Sequence, residues 1–479
     1  MITPFFLPWR ARLSALRQSL PSLETSQPVL HQLSSLFASL LPAHWLSPRE
    51  EGPCSRQRDW PLRLTFWTFL AQVLSPGSSC RAAIRQAQAQ ARLEGRPGPS
   101  SQTSPYCQAR ARLPLDLLQE MLHKVGQSLQ QRVPRSSLWC ARVVKVLDGS
   151  TYNLPDTPEN QAAFPQSSDQ KPGCGFPLVR LVALFCLASG ALVSWAIGPY
   201  VQSELALLAS LWESLPAGEV LLADRHFGCY RVLALVLARQ ADAVCRLHAS
   251  RKSSVPKKRR AFDVQTLWNR PREVGAGFTL EQWRQLPATL LVRLVRFQVV
   301  EKGFRAQWIT VVTTLLDAQK YPAAELARLY RRRWQVELSL RQIKTALQME
   351  SLSTRTPTMA ERELLLHLLA YQLIRGLMQE SALAAGVELD RMSFVGAVDA
   401  ARHFGEAMLR AKSQRQRRRL YAQLLEILAA DAVPDRPGRR EPRALKRRPK
   451  RFPRLNCPRA LFRDPPRRSP RTKKTLGLI

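Results

Sequence analysis

Between residues 10 and 132 apolar side chains recur every three or four positions, in PLRLTFWTFLAQVL, CRAAIRQAQAQARLEG and LPLDLLQEMLHKVGQSLQQRV, the period of helices with one buried stripe. GRPGPSSQTSP, between the second and third, is a loop by its Gly, Pro and Ser. At Trp139 the pattern turns to β. WCARVVKVLDGSTYNL and FPLVRLVALFCLASGALVSWAIGPY precede a helix ELALLASLWESL, a strand EVLLADRHFG and a helix YRVLALVLARQA. Strands followed by alternating helix and strand predict an α/β core.

The alternation breaks between about 246 and 305, where the basic run RKSSVPKKRR and β-like segments such as ATLLVRLVRFQVV read as an insertion. It resumes with the strand QWITVVTTLL and a long helix opened by Pro322 and running to about Met349. ERELLLHLLAYQLIRGLMQES and RQRRRLYAQLLEILAAD form a closing helical pair. After Val433, DRPGRREPRALKRRPKRFPRL and RDPPRRSPRTKK are too rich in Pro and Arg to bury a core and read as a disordered, polyanion-seeking tail.

Charge changes this picture most. The 479 residues include 72 Lys and Arg against 36 Asp and Glu, a net charge of +36, while the 45% apolar share is ordinary. Such a surface predicts a polyanion, DNA or RNA, bound through counterion release. An anionic membrane or a ribosomal or chromatin-like role would share that charge. The nine Cys contain no CxxC pair and the seven His no HExxH, so neither a zinc site nor a disulfide framework is indicated, and a reducing cytosol fits. MITPFFLPWRARLSALR meets charge too early to be a signal peptide. Residues 181 to 198 are long and apolar enough to suggest a membrane span, but Ser189-Gly190 divides them into two strand-length halves, the pattern of a buried hairpin.

Three acidic residues stand where chemistry is plausible. Asp148 ends the apolar run VVKVL; followed by Gly, it reads on its own as a hairpin turn. Asp224 ends VLLA, where open α/β sheets place ligand sites, and is equally readable as a helix N-cap. On the following helix, Tyr330, Arg333, Glu337, Arg341 and Lys344 fall within roughly 80° of one stripe at about 100° per residue. Leu329, Val336, Leu340, Ile343 and Leu347 gather beside them, so the helix can pack on a sheet while its charged stripe faces a groove or, alternatively, only solvent. In the N-terminal region Arg81, Arg85, Arg110 and Arg112 favour a helical DNA-binding unit over a bundle that merely packs on the rest.

The spacing Tyr330-x2-Arg333-x3-Glu337-x6-Lys344 resembles the YREK signature of bacterial insertion-sequence DDE transposases of the IS-four type. VLDGSTYNLPDTPEN around Asp148 resembles that family's first-aspartate motif and LLADRHFGCY around Asp224 its second, so the likeness spans about residues 140 to 350. The resemblance implies an α/β, ribonuclease-H-like catalytic core with a β-rich insertion, flanked by helical N-terminal and C-terminal regions. The expected boundaries are 1–135 (helical, DNA-binding), 136–245 (core, first part), 246–305 (insertion), 306–375 (core, second part), 376–433 (C-terminal helices) and 434–479 (tail).

The resemblance further implies that Asp148, Asp224 and Glu337 hold two Mg²⁺ ions, which Mn²⁺ can replace, with Asp148 bridging both and one ion activating water or a 3′-hydroxyl. Arg333 and Lys344 would hold a DNA phosphate and Tyr330 would contact the strand end, with Arg341 on the same stripe. Trp308 would take a base flipped near the transposon end, or is a core or sheet-edge Trp. His226 is left outside catalysis, since two-metal enzymes need no general base. The implied partners are double-stranded DNA, as terminal inverted repeats and target, and a second copy of the chain in a synaptic complex, in the nucleoid-associated cytoplasm without a membrane. A nuclease on the same fold, or an inactive transposase-derived DNA-binding protein, would share most of these features.

Overall fold

The computed structural model describes residues 32–47, 59–75, 77–248, 261–275, 278–299, 307–350 and 352–433, with 455, 457, 458 and 461–463. The basic run at 251–260 and most of the tail lie outside the described residues. Within the tail, Pro458 packs against Gly173.

Eight strands, β1 (Val144–Asn153), β2 (Leu178–Cys186), β3 (Leu192–Pro199), β4 (Val220–Ala223), β5 (Asp242–Arg246), β6 (Phe262–Asn269), β7 (Thr289–Val299) and β8 (Gln307–Thr313), form one sheet. Their order is β3-β2-β1-β4-β5-β8-β7-β6. β1, β4 and β5 run parallel, whereas β2 is antiparallel to β1 and β3 to β2. This is the ribonuclease-H-like arrangement expected from the motifs. β8, β7 and β6 continue antiparallel from β5, so the strands of the insertion-like stretch lengthen the core sheet.

Strand side chains alternate between faces, and two apolar clusters separate accordingly. Val144, Val146, Val220, Leu222, Val244, Val295 and Val311 belong to one. Leu147, Leu221, Ala223, Ala243, Cys245, Leu294 and Val312, their odd-even complements, belong to the other. With both faces covered, the central strands read as nearly continuous apolar runs.

Among the described residues a short helix at Gln32–Leu36 and four longer ones precede the sheet: α1 (Leu62–Val73), α2 (Cys80–Leu93), α3 (Thr103–Arg112) and α4 (Leu115–Gln131). α5 (Tyr230–Ala238) makes the crossover from β4 to β5. α6 (Ala323–Arg332) and α7 (Trp334–Arg341) follow β8, and α8 (Pro357–Ala385), α9 (Phe394–Arg410) and α10 (Gln414–Ala430) come last. α8 starts with Pro, whose fixed φ suits a first turn, and stops at Gly386, whose φ of +67° suits a left-handed cap. It is buried along most of its length, against α1 and α4 from the N-terminal side. Phe66, Phe69, Leu122 and Val125 therefore share a core with Leu365, Leu369 and Leu373. α2 and α3 have a small core of their own around Trp60, Ile84, Ala87 and Tyr106.

Residues 181–198 form the β2–β3 hairpin rather than a span, with Val182 opposite Ala196. No helix of the described residues is long and apolar enough to cross a membrane. The hairpin turn is buried under α8, where Tyr371 Oη donates to Gly190 O at 2.6 Å and Arg375 Nη2 to Ser189 O at 2.7 Å. Gln372 spans β3, donating to Leu192 O at 2.6 Å and accepting from Leu192 N at 3.1 Å. Polar residues inside α8 thus satisfy backbone groups that an apolar helix would strand.

His367, also on α8, lacks this compensation: burial pulls its pKa from 6.5 to about 3. Its depressed folded pKa means that the stability present above pH 6.5 is lost as pH falls towards 3, because only the unfolded chain takes the proton. Between pH 6.5 and 5 the loss is about 2 kcal/mol. His367→Leu should flatten the pH dependence of urea unfolding by about that amount; an unchanged slope would place the titration elsewhere.

The long helix expected from Pro322 to Met349 is interrupted. A tight turn at Arg333, with Val336 N donating to Arg333 O at 3.2 Å, separates α6 from α7. A π turn then occupies Gln342–Ala346. The widened turn keeps both Ile343 and Leu347 in the core, so burial overrides the regular 100° step there.

Candidate active site

Asp148 lies inside β1, opposite Ala183 of β2, which removes the hairpin-turn reading. The parallel ladders align Leu147 with Ala223 and Ala223 with Cys245. One residue further on, Asp148, Asp224 and Arg246 therefore stand side by side at the carboxyl ends of three adjacent strands. By alternation all three point to the face of Val146, Leu222 and Val244. α7 covers this face through Val336 and Leu340 and brings Glu337 to it.

Each carboxylate has one oxygen engaged. Asp148 Oδ1 accepts from Gly149 N at 2.9 Å, Asp224 Oδ1 from His226 N at 2.8 Å and Glu337 Oε1 from Arg333 Nη2 at 2.6 Å. Burial pushes Asp148 up to about 6; the Gly149 N–H and Arg333 pull it back, while Asp224 and Glu337 push it further. The three acids are thus within electrostatic reach of one another. Among the described residues no group of three His, Cys, Asp or Glu converges as a bound metal requires, and the Arg333 pair holds Glu337 by one oxygen.

Tyr330 is buried beneath Arg333, whose guanidinium lies 5.9 Å from the ring. Burial raises Tyr330 to about 12, against the pull of Arg333 and Arg246. Lys344, displaced by the π turn, sits with Nζ 5.2 Å from the Tyr152 ring, its pKa lowered by burial. Arg341 is exposed on α7. Trp308 is 38% exposed at the near end of β8, but shares the strand parity of Val312 and so points to the opposite face, where Arg296 lies 5.5 Å from its ring. His226 is exposed and meets Phe227 edge-on.

Arg246 is the site residue that pattern reading passed over. Its signal was present, since it ends the apolar run DAVCR as the two Asp end theirs. A Cβ at Gly228 would collide with the Arg246 carbonyl, so the glycine of LLADRHFG lets the loop after Asp224 close over β5.

Arg110 does not lie on a solvated helix face, contrary to expectation. It is buried, with its guanidinium 4.5 Å from the Phe69 ring and Nη1 donating to Gln72 Oε1 at 3.2 Å. Arg81 and Arg85 are exposed on α2. Arg110→Met should cost about 2 kcal/mol of stability and leave the salt dependence of DNA binding unchanged. A stable variant with a shallower salt slope would return Arg110 to the DNA.

The description Transposase DDE domain matches residues 139–373, which contain all three acids. Transposase InsG for insertion sequence element IS4, from Escherichia coli strain K12, is 27% identical over 332 residues, 67% of this chain and 70% of the relative. A cryo-EM structure of the piggyBac transposase synaptic complex with hairpin DNA aligns at a TM-score of 0.42 and 11% identity, covering 83% of this chain and 84% of that one. With the motifs in their order and the two Asp on neighbouring strand ends, the chain is similar to DDE transposases of the IS4 type, and the matched segment 139–373 holds all three acids.

Proposed function

We propose that the protein carries out cut-and-paste transposition: it binds the inverted repeats that end its element, cleaves those ends and joins them to target DNA. The observation that carries this reading is the adjacent placement of Asp148 and Asp224 under the helix bearing Glu337. A second copy would hold the second end, making the working form a dimer. The DNA partner places the activity at the nucleoid in the cytoplasm.

The donor set suits Mg²⁺ or Mn²⁺. All three side chains offer hard oxygen ligands, one oxygen of each makes no hydrogen bond to another described residue, and the buried charge at Asp148 is of the kind a dication relieves. Asp148, Asp224 and Glu337 would hold two ions. When bound, such ions supply an activated water or 3′-hydroxyl and stabilise the leaving oxygen.

The protein's own groups do the positioning. Arg333 can offer its guanidinium to a phosphate when Glu337 turns to a metal, and Lys344, partly desolvated, adds a second cation. Tyr330 packs beneath Arg333 and limits its rotation. Arg341 extends the basic stripe outward, and Arg81 and Arg85 give α2 a cationic face for the repeats. Trp308 points to the face opposite the carboxylates, which favours a sheet-edge role for it.

The test is incubation of labelled duplexes carrying the element's flanking repeats with the protein and Mg²⁺ or Mn²⁺. Cleaved and joined products are expected. Cleavage without joining would make the protein a nuclease, and binding without either would make it a DNA-binding protein only.

A further inference from the structure

The two-helix segment that leads to Glu337 is fixed at its far end. α6 starts directly after Tyr321 and Pro322, and Tyr321 is buried and held at each polar atom. Its N–H donates to Asp317 O at 3.0 Å, its carbonyl accepts from Arg293 Nη1 at 2.8 Å and its hydroxyl accepts from Arg142 Nη1 at 3.2 Å. The ring stacks on Trp139 at 5.5 Å and 23°.

The two arginines lead to different parts of the sheet. Arg142, just before β1, donates to Gly218 O at 2.6 Å and Glu219 O at 3.1 Å and pairs with Asp242 at 2.7 Å. It therefore joins the amino ends of β1, β4 and β5, the strands whose other ends carry Asp148 and Asp224. Arg293, 1% exposed on β7, binds Asp263 of β6 through Nε at 2.6 Å and reaches Leu315 O at 3.3 Å and Asp317 O at 3.4 Å in the loop before Tyr321.

We infer that Tyr321, locked by Arg142 and Arg293, is a positioning residue for Glu337, tying the base of the glutamate helix to the strands of the two aspartates. The inference rests on the transposase reading above. Sixteen residues through α6 and α7, at about 1.5 Å each, place Glu337 at most about 24 Å from this pivot. A rotation of about 3° there moves the carboxylate by about 1 Å, a displacement that can lower a rate on the order of 100-fold. The β6–β7 hairpin reaches the site by the same route, since Arg293 bolts it to the pivot loop.

The experiment titrates Mn²⁺ into wild type, Arg293→Gln, Arg293→Lys and Tyr321→Phe, reading free ion by EPR, beside end cleavage, end binding and amide exchange. Arg293→Gln should bind Mn²⁺ about tenfold more weakly and Tyr321→Phe a few-fold more weakly, with Arg293→Lys between Arg293→Gln and wild type. Exchange should quicken in α6 and α7 but not in β1 or β4, and end binding should stay unchanged. A folded Arg293→Gln with wild-type Mn²⁺ affinity and wild-type exchange would overturn the inference. If that variant does not fold, Tyr321→Phe, which removes one hydroxyl, decides by the same readouts. Wild type that binds Mn²⁺ but cuts no DNA would sink the transposase reading, leaving the positioning role to be judged by the affinities. Wild type that binds no Mn²⁺ would overturn both.

Discussion

Glu337→Gln should retain the fold and end binding and lose metal-dependent cleavage and joining by on the order of 10³-fold or more. The amide matches the carboxylate in shape and can still accept the hydrogen bond from Arg333 that holds Glu337 at 2.6 Å. What it lacks is the charge a dication needs. Because the side chain is 33% exposed, the change should move the melting midpoint little. The measurement is cleavage of labelled repeat DNA by both proteins at equal end occupancy. Cleavage by the variant within tenfold of wild type would remove Glu337 from the site, however well the YREK spacing fits.

Asp148→Asn should abolish the same activity while making the metal-free protein more stable at neutral and alkaline pH. Burial lifts the Asp148 carboxyl from 3.8 to about 6. A raised folded pKa contributes stability that is present in full below 3.8 and lost as pH rises through about 6, where the native protein must carry the buried charge. The interval corresponds to about 3 kcal/mol. Asn carries no charge at any pH, so at pH 8 in EDTA the variant should exceed wild type by up to about that amount, and near pH 4 the two should converge. Added Mg²⁺ should stabilise wild type and not the variant, by mass action on the folded state. Equal stabilities at pH 8 without metal would mean that Asp148 is solvated and that its neighbours do not strain it.

Together these variants separate two properties of one cluster. Glu337 is more exposed and paired with Arg333, so neutralising it changes function with little change in stability. Asp148 is half-buried beside Asp224 and Glu337, so neutralising it should change both, in opposite directions. Sites built to receive a cation carry this kind of local cost when the cation is absent.

Much of the site was legible along the chain because it depends on local period. Apolar runs ending in Asp148 and Asp224 encode strands with a carboxylate at or beyond their ordered ends, and the Tyr330-to-Lys344 spacing encodes a charged helix stripe. The β2–β3 hairpin was legible too, since Ser189-Gly190 interrupts an apolar stretch at strand length. Arg110 shows the limit of such reading. On pattern alone it is another helix-surface arginine, and only the approach of Phe69 and Gln72 from α1 places it inside.

The sequence by itself therefore determined the kinds of element, their order and the excess of positive charge. Each of these follows from spacing within a few residues or from summed charge. Tertiary structure alone decided that Arg246 completes a row with Asp148 and Asp224, that Trp308 faces away from them, that the glutamate helix breaks at Arg333, and that α8 shares its core with helices from the opposite end of the chain. These outcomes depend on which strand ends align and on how buried volume is filled. Both are set by contacts between residues tens to hundreds of positions apart, for which no local period exists.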